Sequence, residues 1–226
     1  RVQEMNQLGL PISLDSKMLL DNFIANNELV NLINQLFLDK KASEIYVYGL
    51  SGQGKTHVLQ GVVLKALEND KNAIYIDCTD PFPEHLFDFI NQLSFISFDN
   101  VDLISNENQE TFFDLYNRAR QAGVVILVSG SGLPADLNVM KDLKTRLSLA
   151  AVYKLEELND ELTIDVLNKQ MNDRNLTIDS KIYEYLFKNY SRDLNTLVSA
   201  MNELDKASLQ SKKAISIPFV KSVLHL

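Results

Sequence analysis

Residues 49–56 read Gly-Leu-Ser-Gly-Gln-Gly-Lys-Thr and match the pattern G-x-x-x-x-G-K-[ST] in full. In such a loop the backbone N–H groups turn inward around a phosphate, a shape that glycine adopts without steric cost, at the positive end of the following helix. The pattern assigns Lys55 to the β- and γ-phosphates and the Thr56 hydroxyl to Mg²⁺. A strand-like run before the loop and an amphipathic helix after it favour this interpretation over a chance glycine-rich turn. The candidate nucleotide-binding residues are Gly49, Leu50, Ser51, Gly52, Gln53, Gly54, Lys55, Thr56 and, if it is not simply packed or solvated, His57.

A second candidate site follows the apolar run 93–98, where Asp99 and Asn100 end a predicted strand. A carboxylate there can hold Mg²⁺ or one of its water ligands beside the phosphates, so Asp99 joins Thr56 as a candidate magnesium ligand. Active hydrolases of this kind usually carry a second acid next, which activates water. An amide cannot accept that proton, so Asn100 predicts slow hydrolysis by the chain itself.

Two further polar residues have open interpretations. Asp102 either replaces the missing second acid or is a surface acid. Ser129 ends the strand-like run 124–129 and precedes Gly130, so it either senses the γ-phosphate or forms a turn.

The elements that must position these residues alternate along the first two thirds of the chain. Strands are predicted at 45–48, 73–77, 93–98, 124–129 and 151–154, and helices at 55–68, 84–92 and 109–121. Strands separated by helices require crossover connections, which predicts an α/β fold with a parallel five-stranded sheet. After about residue 155 only helices are predicted, with start signals at Asn159, Asp179, Ser191 and Ser216. We therefore expect an extended tail at 1–14, an α/β domain at 15–155 and a small α-helical lid domain at 156–226.

The charge balance is 22 Lys and Arg against 30 Asp and Glu, a net charge of −8. Such a chain is not drawn onto nucleic acid by its overall field, so DNA contact needs a partner. The single cysteine, Cys78, excludes a disulfide framework, and no membrane span or secretion signal is recognisable. These features predict a cytoplasmic protein. Position 1 is Arg rather than Met, so we expect native residues to precede it.

Five segments together resemble the AAA+ core of the bacterial replication initiator family DnaA: residues 21–24, 49–56, 97–100, 111–118 and 143–147. The ending, at 204–208 and 213–221, is more specifically similar to the Hda branch, the DnaA-homologous regulatory inactivators. The resemblance spans nearly the whole chain. It implies an AAA+ P-loop NTPase core with a helical lid, ADP or ATP with Mg²⁺ as cofactors, and a cytoplasmic bacterial protein associated with the nucleoid.

The resemblance also implies roles for residues that carry no signal by themselves. Arg146 matches the arginine finger that projects into a neighbouring protomer's nucleotide site; without the resemblance it is an exposed helix cation. Phe23 and Ile24 match a segment that packs against adenine, although an apolar pair is core by default. The lid's sensor arginine aligns with Asn195, and Arg192, three residues earlier, is a hypothetical substitute on the same helix face.

The tail resembles the family's motif for the sliding clamp, the beta subunit of DNA polymerase III. An extended peptide can dock in a pocket because it needs no core of its own. The candidate partner-binding residues are Gln7, Leu8, Leu10 and Pro11.

Three functions follow from these features. The first is a nucleotide-bound regulator that docks on the DNA-loaded clamp and stimulates ATP hydrolysis by DnaA through Arg146, so that replication is not re-initiated. The second is a self-hydrolysing AAA+ ATPase or helicase loader, and the third is a non-catalytic adaptor on the clamp. DNA is contacted only through the clamp, no membrane is involved, and a homodimer remains open.

Overall fold

The structure, a computed structural model, describes residues 14–16, 18–23, 26–39, 42–83, 85–155, 158–174 and 176–226. The chain divides after Leu155 into two compact units. The predicted clamp-binding residues Gln7, Leu8, Leu10 and Pro11 lie outside the described residues, as do Ile24 and the side chain of Asn195.

The first unit alternates strands and helices, as the sequence predicts. Its elements are α1 (Asn27–Asp39), β1 (Glu44–Tyr48), α2 (Lys55–Glu68), β2 (Ala73–Asp77), α3 (Leu86–Phe89), β3 (Phe95–Asp99), α4 (Gln109–Gln121), β4 (Val125–Gly130), α5 (Lys141–Leu147) and β5 (Ala151–Lys154).

All neighbouring strands are parallel, in the order β2-β3-β4-β1-β5. Because every connection must return to the same end of the sheet, all carboxyl ends lie at one edge and all amino ends at the other. The predicted α/β class with five parallel strands is confirmed.

Alternate residues along each strand face opposite helix layers. On β1, Tyr46 packs into the core under α3, α4 and α5, whereas Ile45 and Val47 pack into the core under α1 and α2. Both faces of the sheet are therefore buried at β1, β3 and β4, which fixes the strand register and with it the positions of the residues at the carboxyl edge.

The helix predicted at 84–92 is shorter than expected. Only Leu86–Phe89 is α-helical, and a 3₁₀ turn, Ile90–Gln92, follows. The chain must then enter β3 at once, since Ser94 already donates its backbone N–H to Asn72 O at 2.8 Å. The tighter turn keeps Ile90 buried while it redirects the chain.

The second unit consists of α6 (Asp160–Asn172), α7 (Ser180–Asn189), α8 (Leu194–Ser211) and α9 (Ile217–Leu224) around its own apolar core. Asn159, Asp179 and Ser216 cap helices as predicted. The start predicted at Ser191 is wrong, because the Asp193 side chain accepts from the N–H of Thr196 and caps α8, while Ser191 accepts from Asp193 N. Within the described residues, no helix is long and apolar enough to cross a membrane.

Candidate nucleotide site

The loop between β1 and α2 has the conformation that its glycines predict. Gly52 and Gly54 have φ of 84° and 87°, in the left-handed region that other residues rarely adopt. A Cβ atom on Gly49 would come within 2.8 Å of Leu155 O, and one on Gly54 within 2.9 Å of the Phe23 ring. These two positions are therefore packed too closely against the rest of the unit to carry a side chain.

Lys55 is held at this loop by the loop's own carbonyl groups. Its Nζ donates to Gly49 O at 2.7 Å and to Leu50 O at 2.8 Å, and the Gln53 side chain accepts from Leu50 N at 2.7 Å. Burial lowers the pKa of Lys55, and the negative charges of Asp99 and Asp102 oppose that shift. A positive charge is thus kept beside the backbone N–H groups of residues 49–56.

Asp99 is the centre of a hydroxyl network at the carboxyl edge of the sheet. Its side chain is fully buried, and Oδ2 accepts from Thr56 Oγ1 at 2.6 Å and from the Tyr75 hydroxyl at 2.7 Å. Oδ1 accepts a short hydrogen bond from the Ser129 hydroxyl. The predicted magnesium ligands Thr56 and Asp99 are therefore in direct contact, although 43 positions separate them in the chain.

Asn100 follows with its backbone in the left-handed region, at φ 58° and ψ 42°. Its N–H contacts both Ser129 Oγ at 3.0 Å and Asp99 Oδ1 at 3.1 Å, and its side-chain Nδ2 donates to Asp77 Oδ2 at 3.1 Å. Asparagine tolerates this backbone conformation better than most residues.

Sequence reasoning missed Tyr75 and Asp77, both on β2. They occupy alternate positions, 75 and 77, of a strand whose register sets Asp77 opposite Asp99. The available signal was a Tyr and an Asp on one face at the end of a predicted strand, next to another strand that ends in an acid. Burial, and then the charge of Asp99, raise the pKa of Tyr75 well above its ordinary value, so its hydroxyl keeps its proton for that carboxylate.

The two residues with open interpretations lie at the same edge. Ser129 is fully buried against Asp99 rather than forming an exposed turn. Asp102 Oδ1 accepts from Ser131 N at 3.1 Å, so this carboxylate tethers the loop that follows β4.

Phe23 lies at the loop as well. It is buried, its ring is edge-on to His57 with centroids 5.7 Å apart, and Nε2 of His57 lies 2.8 Å from Leu19 O. Phe23 and His57 therefore both lie beside residues 49–56, and their role in nucleotide binding stays a prediction.

Arg146 lies at the opposite, amino edge of the sheet. It is near the end of α5, which leads into the start of β5, whereas residues 49–54 follow the end of β1, and β1 alone spans roughly 15 Å. Its charge acts on Tyr116, whose hydroxyl donates to Glu44 at 2.6 Å. Among the residues that the structure describes, no hydrogen bond or ion pair engages the Arg146 guanidinium.

Groups of three or more His, Cys, Asp and Glu that could enclose a metal are absent from the described residues. The oxygen donors available to a cation at the loop are the Thr56 hydroxyl and the Asp99 carboxylate. That small, hard donor set fits Mg²⁺, which usually keeps several waters and takes its other ligands from phosphates.

A family model described as "Bacterial DnaA ATPase domain" matches residues 14–154, more than half of the chain. The chain belongs to this DnaA ATPase-domain family. A second model, described as "Hda, lid domain", matches residues 160–224. A DnaA-like AAA+ domain followed by an Hda lid domain identifies a member of a replication-initiation regulator family and confirms the resemblance.

One relative and two solved structures illustrate what this DnaA-family chain is similar to. A Haemophilus influenzae protein described as uncharacterized is 33% identical over 228 residues, covering 97% of this chain and 99% of the relative. Domain III of the Thermotoga maritima replication initiation protein DnaA matches with a TM-score of 0.76 at 18% identity, covering 94% of this chain and 97% of that one. AMPPCP-bound DnaA from Aquifex aeolicus matches with a TM-score of 0.71 at 22% identity, covering 88% and 69%. At these identities the solved structures show the shared fold.

One expectation for the lid of this DnaA-family chain is wrong. Arg192 and Asn195 do not share a helix face, because α8 begins at Leu194 and Arg192 precedes it. Arg192 instead lies 3.4 Å from the Asp160 carboxylate, within the second unit, and both side chains are at least half exposed. Exposed pairs of this kind contribute little to stability.

Proposed function

We propose that the chain is a nucleotide-bound regulator of replication initiation that docks on the DNA-loaded sliding clamp and stimulates ATP hydrolysis by DnaA. The observation that supports this proposal most directly is the difference between the carboxyl edge and the amino edge of the sheet. At the carboxyl edge an intact phosphate loop lies beside Asp99, which is followed by Asn100 rather than by an acid. At the amino edge lies Arg146, which no hydrogen bond or ion pair engages among the described residues.

The loop fits ADP or ATP. Gly49 and Gly54 pack too closely against Leu155 O and the Phe23 ring to carry a Cβ, Lys55 supplies a positive charge, and the apolar Phe23 ring lies beside the loop. Thr56 and Asp99 would hold Mg²⁺, which neutralises phosphate charge when bound. The chain's own contribution is to orient these groups: three hydroxyls hold the Asp99 carboxylate, and the backbone of residues 49–56 surrounds the phosphates.

Arg146 is proposed to act on the nucleotide of DnaA rather than on its own. A guanidinium near the leaving phosphate stabilises the charge that develops in the transition state. Its position at the amino edge, a full strand length from residues 49–54, supports action between molecules.

Docking on the sliding clamp is proposed for Gln7, Leu8, Leu10 and Pro11, on the resemblance of their sequence alone. Contact with DNA would then be indirect, in keeping with the net charge of −8.

The test is ATP hydrolysis by DnaA, measured with this protein and DNA-loaded clamp added separately and together. We expect stimulation only when both are present, and its loss in Arg146→Ala and in Gln7→Ala. Lys141→Ala, on the same helix α5 with an exposed side chain, is the matched control and should stimulate normally.

Two other outcomes identify the alternatives. Turnover by the protein alone that is abolished by Lys55→Ala would indicate a self-hydrolysing ATPase or helicase loader. Clamp binding with no effect on DnaA hydrolysis would indicate an adaptor.

A further inference from the structure

Asp77 and Asn100 form a carboxylate–amide pair between the ends of two strands. Asp77 ends β2 in register with Asp99, which ends β3, so the next residue, Asn100, comes beside it. Asn100 Nδ2 donates to Asp77 Oδ2 at 3.1 Å. The other carboxylate oxygen accepts from the backbone N–H of Thr79 at 3.0 Å and from its hydroxyl at 2.8 Å. Both oxygens of Asp77 are therefore fixed by donors.

The backbone of Asn100 is fixed as well, because its N–H is engaged by Ser129 Oγ and Asp99 Oδ1. Only the side-chain torsions of Asn100 remain free, and the hydrogen bond to Asp77 sets them. Carboxylate oxygens accept but do not donate, so the amide nitrogen must face Asp77 and Oδ1 is left as an acceptor on the other side of the amide. The pair thus sets which atom of Asn100 is available beside Asp99.

We propose that Asp77 is a positioning residue that fixes the amide of Asn100 beside Asp99 and, by its own charge, opposes a carboxylate at position 100, so that the site binds nucleotide with little hydrolysis. The inference rests on the proposed nucleotide-binding function. The proposal depends on which of the two residues is the amide. The amide, Asn100, follows Asp99 directly, whereas the carboxylate, Asp77, lies on the neighbouring strand β2 and accepts three hydrogen bonds.

The chemistry of ATP hydrolysis explains why an amide at position 100, paired with a carboxylate at position 77, suppresses turnover. As the water oxygen bonds to the γ-phosphorus, the bond from that phosphorus to the bridging oxygen breaks and its electron pair stays with ADP, while the water proton must pass to an acceptor. An amide oxygen can orient the water but is too weak a base to take the proton. A carboxylate at position 100 could take it, and an amide at position 77 could then donate to that carboxylate.

Exchanging the two residue types tests this arrangement. The variants are Asn100→Asp, Asp77→Asn and the double exchange. The control is Asp80→Asn, because Asp80 is an exposed acid three residues after Asp77, on the loop that follows β2. Asparagine and aspartate have nearly the same shape, and aspartate also tolerates positive φ at position 100. ATP affinity is measured with a fluorescent ATP analogue and Mg²⁺, and turnover by the protein alone at saturating ATP.

We expect the double exchange, which leaves the net charge of the pair unchanged, to bind ATP as the wild type does and to hydrolyse it about 10²-fold faster, the low end for a positioned general base. The turnover of Asn100→Asp should be about tenfold lower than that of the double exchange, because its new carboxylate faces the Asp77 carboxylate and receives no hydrogen bond from it. Asp77→Asn and Asp80→Asn should not exceed the wild type. Rescue of this kind, with unchanged affinity, would not follow from a merely structural role for Asp77.

The inference is overturned if Asn100→Asp equals the double exchange, if Asp77→Asn alone is faster than the wild type, or if no variant gains turnover while all bind ATP. Failure of the wild type itself to bind ATP would instead refute the proposed function, and the inference with it. The binding titration therefore separates the two failures.

Discussion

At the carboxyl edge of the sheet Tyr75 donates to Asp99 at 2.7 Å, and at the amino edge Tyr116 donates to Glu44 at 2.6 Å. The two pairs differ in what else the carboxylate contacts. Glu44 also accepts from Arg120 Nε at 2.7 Å, so its charge is neutralised by a cation of the same unit. Asp99 is fully buried and accepts from hydroxyl groups and a backbone N–H.

The difference separates a structural carboxylate from one that can receive a cation. Hydroxyl donors stabilise a buried carboxylate but leave its negative charge in place, so Asp99 remains attractive to Mg²⁺. Glu44 already has its counter-ion. Near the amino edge, Arg146 forms no ion pair with the residues that the structure describes, and we propose that it acts on another molecule.

The largest expected effect concerns the amino edge. Arg146→Ala should lower DnaA-stimulating activity by about 10³-fold, the lower end of what an arginine finger contributes, and Arg146→Lys should not restore it because lysine lacks the planar fork. Nucleotide binding by the chain should be unchanged in both variants. Equal loss of nucleotide binding and stimulation would mean that Arg146 supports its own fold and would remove the contrast between the edges.

At the carboxyl edge, Lys55→Ala should weaken ATP binding about 10- to 100-fold, since it removes charge-assisted hydrogen bonds to phosphate. Titration with a fluorescent ATP analogue measures this. Lys141→Ala, an exposed lysine of the same unit, should bind ATP like the wild type. An unaltered affinity in Lys55→Ala would show that residues 49–56 are not the nucleotide site.

The two tyrosines provide the most direct test of the comparison. Tyr75→Phe should reduce the Mg²⁺-dependent part of the ATP affinity about 10-fold, because one donor that orients Asp99 is lost. Tyr116→Phe should leave ATP affinity unchanged and lower the free energy of unfolding by about 1.5 kcal/mol, measured by urea denaturation. If both variants changed ATP affinity equally, the edges would not have separate roles.

The smallest effect is on stability at alkaline pH. Burial raises the pKa of Tyr75 and Tyr116 above the ordinary value of 10.0, and raises the pKa of Tyr183 in the second unit to about 12. A raised pKa means that the folded state holds the proton more tightly, so this stabilisation is complete below pH 10 and is lost as the pH rises through the folded-state pKa.

The free energy of unfolding should therefore be steady up to about pH 10 and fall above it. Urea denaturation at pH 8, 10 and 11.5 measures the decline, which should be shallower in Tyr116→Phe. Tyr190→Phe, at a residue that is 40% exposed, is the control and should keep the wild-type slope. A decline of the same steepness in both variants would contradict the assignment to the buried hydroxyls.

Local patterns in the sequence were sufficient for most elements and for the loop. Three predicted elements have the observed bounds: the helix at 55–68, the helix at 109–121 and the strand at 151–154. Their bounds could be predicted because amphipathic periodicity and glycine positions act over a few residues. Predictions failed where neighbouring elements compete: α3 gives way to a 3₁₀ turn before β3, and Asp193 rather than Ser191 caps α8.

The sequence by itself determined residues 49–56, the acid at the end of β3 and the amide that follows it. Their chemistry depends on residue type and short spacing, which a linear chain displays directly. Only the tertiary structure brought Tyr75 and Asp77 to Asp99 and Asn100, and only it separated Arg146 from residues 49–54 by the length of a strand. Both results come from parallel strand register, which is fixed when the two faces of the sheet are buried and is not written in any single segment.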